Sequence, residues 1–296
     1  MNKDKNSILE TIEYVSEKYD IVVLEEIGNP TDIIYMAISK ILGVSVFDLK
    51  LNKNSIFLDI GQLSKLEEDV MQMINESVPI QYITGRVNIY NEEYIVNSSV
   101  LIPRSDTEIL IETAINYIEK YSLKNMLDIC TGSGAVGISI SKNSTIEKAD
   151  LSDISKEAIE VAEKNIKLNE ASNKCKVYLS DLFNNIPFLN LNKYDIIVGN
   201  PPYIESEVVD GLSSYVKNEP RLALDGGITG LDIYIRIFNE AQEFLKDKAF
   251  VLLEIGYNQA DSIKKILTSN PKYELLEVVK DINSKDRVIV CRFHQR

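Results

Sequence analysis

Apolar positions in the first 80 residues recur at three- and four-residue spacings, the period of a helix with one face turned inward. Ile33, Met36, Ala37 and Ile41 share such a face, with Thr31 placed to cap its amino end and Gly43 to close it. A second run sets Leu63, Leu66, Val70, Met73 and Ile74 on one side and Lys65, Glu67, Glu68 and Asp69 on the other. The pattern predicts a small helical bundle, and nothing in it suggests catalytic chemistry.

From Gln81 the period changes. Residues 87–101 alternate polar and apolar around Asn91-Glu92-Glu93, which predicts a β-hairpin joining two parts of the chain. Beyond it, short apolar runs at 126–130, 149–152, 176–179, 196–198, 250–254 and 288–293 read as strands. Helical stretches lie between them, such as 155–168, where Ser155 can cap and Ile159, Ala162 and Ile166 face inward. Alternation of this kind predicts a parallel sheet with helices on both faces, and a ligand site at the carboxyl ends of its strands. A length of 296 residues allows two domains at roughly 150 residues each.

Composition narrows the chemistry. Apolar residues are 45% and charged residues 26% of the chain, ordinary for a globular protein with a real core. Forty-five acidic against 32 basic side chains give a formal net charge of −13, which disfavours a broad phosphate-gripping face. Cys130, Cys175 and Cys291 lack metal-ligand or disulfide spacing and fit a reducing cytosol. The single histidine, His294, makes a histidine zinc site or a Ser-His-Asp triad untenable. No apolar run approaches the ~20 residues of a membrane span, and Met1-Asn-Lys-Asp-Lys5 lacks a signal-peptide core. A cytoplasmic protein with no metal and no membrane association is expected.

The segment Leu127-Asp-Ile-Cys-Thr-Gly-Ser-Gly-Ala-Val-Gly137 leaves a strand and enters a helix. Gly132, Gly134 and Gly137 form a G-x-G-x-x-G turn, which lets a ligand approach the backbone. Asp153 follows 21 residues after Gly132, where a carboxylate can accept from both ribose hydroxyls of an adenosine. Taken alone, this suits a nicotinamide dehydrogenase as well as a methyltransferase. Asp128, at the strand end, tips the balance, because its carboxylate would attract the amino group of S-adenosylmethionine and repel a pyrophosphate. Asp181, within Ser180-Asp-Leu-Phe183, can accept from an adenine amine, with Leu182 against the ring; its other reading is a plain helix cap.

Asn200-Pro201-Pro202-Tyr203 carries the most specific chemistry. Two prolines fix a rigid turn where a buried strand ends, which as structure alone would merely terminate the strand. A planar –NH2 is a poor nucleophile because its lone pair is delocalised. The Asn200 side-chain oxygen and the Pro201 carbonyl could take its two N–H bonds, and Tyr203 could pack over the flat group. Positioning of this kind can lower a bimolecular barrier by on the order of 7 kcal/mol. A sulfonium methyl is already activated, so the lack of a metal or strong base costs the reading nothing. The same motif serves enzymes acting on exocyclic amines of adenine or guanine, so it specifies a planar nitrogen and not which one.

Over nearly its whole length the sequence resembles the protein (glutamine-N5) methyltransferases that modify peptide chain release factors, the PrmC/HemK type. The resemblance runs through Pro79-Ile-Gln-Tyr-Ile-Thr-Gly85, Val100-Leu-Ile-Pro-Arg104, Asp128-Ile-Cys-Thr-Gly-Ser-Gly134, Asn200-Pro-Pro-Tyr203 and Asn218-Glu-Pro-Arg-Leu-Ala-Leu-Asp-Gly-Gly227, followed by Gly230-Leu-Asp232. It implies an α/β fold: a seven-stranded Rossmann-like class I methyltransferase sheet at 105–296, a helical partner-binding domain at 1–80, and a hairpin linker at 81–104. It also implies methyl transfer from S-adenosyl-L-methionine to the glutamine of a Gly-Gly-Gln loop in a release factor. By the same carry-over Asp128, Cys130, Thr131, Gly132, Gly134, Asp153, Asp181, Leu182 and Asn200 serve the cofactor. Asn200, Pro201, Pro202, Tyr203, Arg104 and Glu219 meet the substrate.

The family usually reads Pro-Arg-Pro-Glu-Thr-Glu where this chain has Pro103-Arg-Ser-Asp-Thr-Glu108, and Ser105 loosens a turn that proline would stiffen. Arg104 has two readings, a structural ion pair or a substrate contact. Competing functions are a nucleic-acid amino-methyltransferase, expected to carry a basic accessory region, and a dinucleotide oxidoreductase, which leaves Asn200–Tyr203 without a role. A third is a non-catalytic sensor of cofactor and partner. A monomer that binds no nucleic acid directly is expected.

Overall fold

The computed structural model describes residues 5–187 and 193–295; Met1–Asp4, read above for the missing signal-peptide core, lie outside them. The chain divides into two compact units. One holds residues up to Gly85 together with Ser213–Asn218, and the other holds Arg86–Leu212 and the remainder from Glu219.

In the first unit a two-stranded ladder, β1 (Lys5–Ser7) with β2 (Phe57–Asp59), accompanies helices at Ile8–Lys18, Pro30–Leu42, Val46–Leu51, Ile60–Asn75 and Ile80–Thr84. Ile33, Ile34, Ala37 and Ile38 form the buried face of the second helix, which Gly43 closes at φ 66° as expected. Its cap is Asn29, not Thr31: the Asn29 side chain accepts from the Asp32 N–H at 3.1 Å. Pro30 explains the shift, since its preset φ and missing N–H suit the first helical position and start the helix earlier. In the helix Ile60–Asn75, Leu66, Val70 and Met73 are sealed as the spacing predicts. Asp69, assigned to the wet side, is buried as well. It falls three residues after Leu66 and four before Met73, inside the apolar stripe, and Lys65 reaches it at 3.1 Å. Tyr215 belongs to this core, its hydroxyl donating to the Met73 carbonyl at 2.9 Å.

The second unit is the α/β body. A hairpin of β3 (Arg86–Ile89) and β4 (Glu92–Ile95) turns through Tyr90 and Asn91, both at positive φ. That is the two-residue turn whose twist suits a hairpin. The expected turn at Asn91-Glu92-Glu93 is therefore one position early, the hairpin ends at Ile95, and Glu92 is a buried strand residue held by Asn143 at 2.9 Å.

Seven strands form one sheet in the order β10–β11–β9–β8–β5–β6–β7: β5 (Asn125–Ile129), β6 (Lys148–Asp153), β7 (Cys175–Leu179), β8 (Tyr194–Gly199), β9 (Leu245–Glu254), β10 (Tyr273–Lys280) and β11 (Asp286–Phe293). The five from β9 to β7 run parallel; β11 runs against them beside β9, and β10, antiparallel to β11, closes that edge. Strand alternation sorts the core into two layers. Met126, Val198, Leu252 and Val290 pack under the helices Thr107–Tyr121 and Ala135–Asn143, whereas Leu127, Ile197, Leu253 and Ile289 pack under Asp232–Glu240 and Ala260–Thr268. The strand β10 escapes the sequence pattern because a register shift between Leu275 and Glu277 breaks its period of two.

The chain leaves β5 toward β6 on one side and later returns as β8 on the other. Their carboxyl ends flank the point where the strand order reverses, and an open α/β sheet has its crevice there. Ser155 caps the helix Lys156–Leu168 as expected, accepting from the Ala158 N–H at 3.1 Å. On that helix Asn165 is fully buried, donating to the carbonyls of Ile95 (2.9 Å) and Ser133 (2.8 Å) and accepting from the Ile95 N–H (2.6 Å). It ties the end of the hairpin to the turn after β5. Replacing Asn165 with Leu strands those backbone groups, and urea unfolding should show a loss of about 2–4 kcal/mol.

Candidate functional site

The turn after β5 is shaped by one buried carboxylate. Strand alternation sends Asp128 to the layer beneath the helix Ala135–Asn143, where it is fully buried. One of its oxygens accepts from the Thr131 hydroxyl at 2.5 Å and the Gly137 N–H at 2.9 Å; Oδ1 has no hydrogen-bond partner among the described residues. A Cβ on Gly137 would stand 2.9 Å from that carboxylate, so only glycine lets the helix approach it. Burial raises the Asp128 carboxyl to about 7, against the lowering effect of its two donors. Asp128 lies beneath the turn and is not among the residues that line the cavity.

Cys130, at φ 54°, begins the turn in a left-handed conformation that costs a non-glycine residue roughly 1–2 kcal/mol. Its thiol is held well above the usual range by burial and the nearby Asp153, which favours the neutral form. The Gly132 N–H donates to Asp153 at 2.8 Å, and the other Asp153 oxygen accepts from the Ser155 N–H at 2.9 Å. One carboxylate therefore links the ends of β5 and β6. Past β7, Asp181 pairs with Arg236 at 2.9 Å, and Leu182 follows at φ 49°.

At the end of β8 the Asn200 Nδ2 donates to the Thr107 hydroxyl at 3.4 Å, and Thr107 donates to Glu254 at 2.7 Å. The backbone after Asn200-Pro-Pro is clamped by the Glu-Pro and Gly-Gly segment. Ile204 exchanges bonds with Leu224 (3.0 Å) and Gly226 (2.8 Å), and Gln259 donates to the Tyr203 carbonyl at 2.8 Å. A Cβ on Gly226 would come within 2.7 Å of the Pro202 carbonyl, which gives the glycine a physical reason. Burial pushes the Tyr203 phenol up to about 12, so it stays neutral.

These ends enclose one cavity of about 330 Å3. Cys130, Thr131, Gly132, Asp153, Asp181, Leu182, Asn200 and Pro202 line it. Gly134, Pro201 and Tyr203 adjoin lining residues in the chain, Pro201 buried and Tyr203 half-buried. Arg104 is held in an ion pair by Glu219, itself buried and accepting from the Ile102 N–H at 2.9 Å. This ion pair is the contact the structural reading of Arg104 expects, the Arg104 side chain remains partly exposed, and neither residue is among those lining the cavity. The Glu219 carboxyl is nonetheless raised, because burial outweighs Arg104 beside it.

Sequence reasoning missed Thr107, Arg236 and Glu254 as site residues, and with them Val100, Leu101, Leu222 and Ala223, which line the cavity. Glu254 left a legible signal, an acid at the carboxyl end of the unbroken apolar run 249–253. Among the described residues there is no group of side chains able to hold a metal, and no helix long and apolar enough to cross a membrane.

Known proteins with related sequences and folds agree with this geometry. The family model for the methyltransferase small domain matches residues 105–214. The release factor glutamine methyltransferase of Clostridium acetobutylicum is 37% identical over 268 residues, covering 88% of this chain and 92% of that protein. Its counterpart from Bacillus subtilis is 38% identical over 234 residues, covering 76% and 79%. Among solved structures, the hMettl16 catalytic domain in complex with MAT2A 3′UTR hairpin 6 superposes with a TM-score of 0.55 at 13% identity, over 82% of this chain and 86% of that one. That likeness establishes a shared fold and nothing further. With 37% of aligned residues identical over 92% of the clostridial protein, the chain belongs to the release factor glutamine methyltransferase family.

Proposed function

We propose that this protein transfers a methyl group from S-adenosylmethionine to the side-chain amide nitrogen of the glutamine in the Gly-Gly-Gln loop of peptide chain release factors. The observation that carries the proposal is the opening of two strand ends into one cavity, the Gly132 turn with Asp153 on one side and the Asn200–Pro202 corner on the other. The kinship with release factor glutamine methyltransferases supplies the substrate class.

The residues fit such a cofactor. Asp153 lines the cavity with spare lone pairs for a ribose; burial raises its carboxyl, and backbone N–H donors including Ser155 and Gly132 oppose that shift. Leu182 and Ile154 offer apolar walls for a flat base beside Asp181, which Arg236 holds in place. The unpartnered Oδ1 of Asp128 is a buried acceptor awaiting a donor, directly or through water. The cofactor, when bound, supplies an electrophilic methyl group on a sulfonium.

The chain's own part is to bind and orient. Asn200 Oδ1 and the Pro201 carbonyl accept the two N–H bonds of the substrate carboxamide and hold its plane. Accepting those protons raises electron density on nitrogen, and the paired prolines keep both acceptors fixed as bonding proceeds. Tyr203, neutral and half-buried, packs against the flat amide. An enzyme acting on an exocyclic amine of nucleic acid would need the same corner, and the relatives do not favour it.

Incubation with labelled donor and either release factor or RNA and DNA discriminates between the two. Mass spectrometry should find one added methyl on the Gly-Gly-Gln glutamine, and label entering only nucleic acid would refute the assignment. Asn200→Ala should lower turnover at least ~100-fold, the scale of losing one preorganised polar contact to the reacting group, with donor affinity kept. Asp153→Ala should instead weaken donor binding, read as a smaller rise in melting temperature at a given donor concentration. An unchanged rise would refute the ribose contact.

A further inference from the structure

Two groups stand in line behind the Asn200 corner. Thr107 opens the helix Thr107–Tyr121 and Glu254 ends β9, and both are sealed from solvent. The Thr107 hydroxyl lies 2.7 Å from Glu254 Oε2, and Asn200 Nδ2 lies 3.4 Å from the same hydroxyl. Nothing in the proposed amide clamp uses Thr107 or Glu254, yet an acid in a buried position needs a reason.

A side-chain amide presents a donor at one end and an acceptor at the other, and the clamp works only if the acceptor faces the substrate. We propose that Thr107 and Glu254 are positioning residues that fix this orientation, so that Asn200 offers Oδ1 and not Nδ2 to the carboxamide. The inference rests on the reading of Asn200 as the acceptor.

Hydrogen-bond arithmetic supports it. An ionised carboxylate can only accept, so the single Thr107 hydroxyl proton is committed to Glu254. The Thr107 oxygen is then left with lone pairs alone, and of the two ends of Asn200 it can pair only with Nδ2. Oδ1 is thereby turned away from Thr107. A protonated Glu254 reverses the chain. Its O–H can donate to Thr107, the Thr107 hydroxyl is freed to donate to Oδ1, and the amide can turn over. An N–H of Asn200 would then oppose an N–H of the substrate.

The charge on Glu254 is within reach of ordinary buffers. Burial raises its carboxyl to about 7; Asp106 pushes in the same direction, and the donated bonds and Arg287 oppose. Arg287 is itself held by Asp106 at 2.8 Å and Asp281 at 3.0 Å. The other titratable neighbours are the phenols of Tyr203 and Tyr234, both raised by burial and neutral, the Tyr234 hydroxyl donating to the Glu254 backbone carbonyl at 2.7 Å. The productive orientation belongs to the ionised form, so turnover should fall as pH drops through about 7.

The test uses the full chain with S-adenosylmethionine and release factor, measuring kcat and KM across neutrality for wild type, Thr107→Val, Thr107→Ser and Glu254→Gln. Thr107→Val should lower kcat about tenfold or more with little change in release-factor KM. Thr107→Ser should restore it, and both variants should keep the thermal shift produced by the donor. Glu254→Gln should lower kcat and remove the acid limb of the profile. If Thr107→Val does not fold, the Glu254→Gln profile decides, and an acid limb retained there overturns the inference. Should Asn200→Ala be inactive while Thr107→Val keeps wild-type kcat and the wild-type pH profile, only this inference fails. Should Asn200→Ala stay active, the amide clamp falls and this inference with it.

Discussion

The parallel pairing of β5 with β8 is the constraint on which the remaining geometry depends. Ile129 stands opposite Gly199, so the two strands stop at the same level and their loops emerge side by side. The approach is close, since a Cβ on Gly199 would lie 2.7 Å from the Ile129 carbonyl. A glycine-rich turn and a proline-stiffened corner, 68 positions apart between Gly132 and Asn200, thus share one cavity. Neither loop needs to be long or flexible, because the sheet positions both. The apolar residues that make β5 and β8 buried strands therefore also fix the spacing between the two halves of the chemistry.

Much of this was legible in the sequence because each signal was local. Strand and helix alternation gave helices on both faces of a sheet, Ser155 announced its helix, and Gly132 and Asp153 were singled out for a ligand, although the 2.8 Å bond that joins them was not foreseen. The Asn200 corner was legible because consecutive prolines have few conformations. Signals failed where meaning depended on a partner distant in sequence. Arg236 is an ordinary helix residue until folding brings Asp181 to it, and Thr107 is an ordinary first-turn residue until Glu254 lies beneath it. Asp128 was recognised as important, but its burial beneath the turn was not legible, because the direction of a strand-end side chain depends on register, which the motif does not state.

The same contrast appears in the structural carboxylates. Asp69 read as a solvent-facing charge because its neighbours Glu67 and Glu68 are acidic, yet helical spacing puts it in the core stripe. Glu92 read as a turn residue because it follows Asn91, yet the two-residue turn ends before it. In both places composition outweighed periodicity in the reading, and periodicity prevailed in the fold. Buried acids in this protein are supported by particular donors: Lys65 for Asp69, Asn143 for Glu92, Thr131 and Gly137 for Asp128. Of these, the Glu92 bond joins distant stretches of chain, and the others fix one helical turn and the loop after β5, all by something more directional than apolar contact.

The inclusion of Ser213–Asn218 in the helical unit bears on how the molecule can be dissected. Tyr215 sits in that unit's core, and Asn218 donates to the carbonyls of Glu76 and Ser77 at 3.0 and 2.9 Å. The helical unit is thus discontinuous in sequence. A fragment ending at Gly85 would lack an aromatic plug and would leave backbone acceptors bare, so simple truncation there does not yield the unit intact. A circularly rearranged or linker-bridged version that carries the six-residue segment along is the form in which that unit keeps its own interior complete.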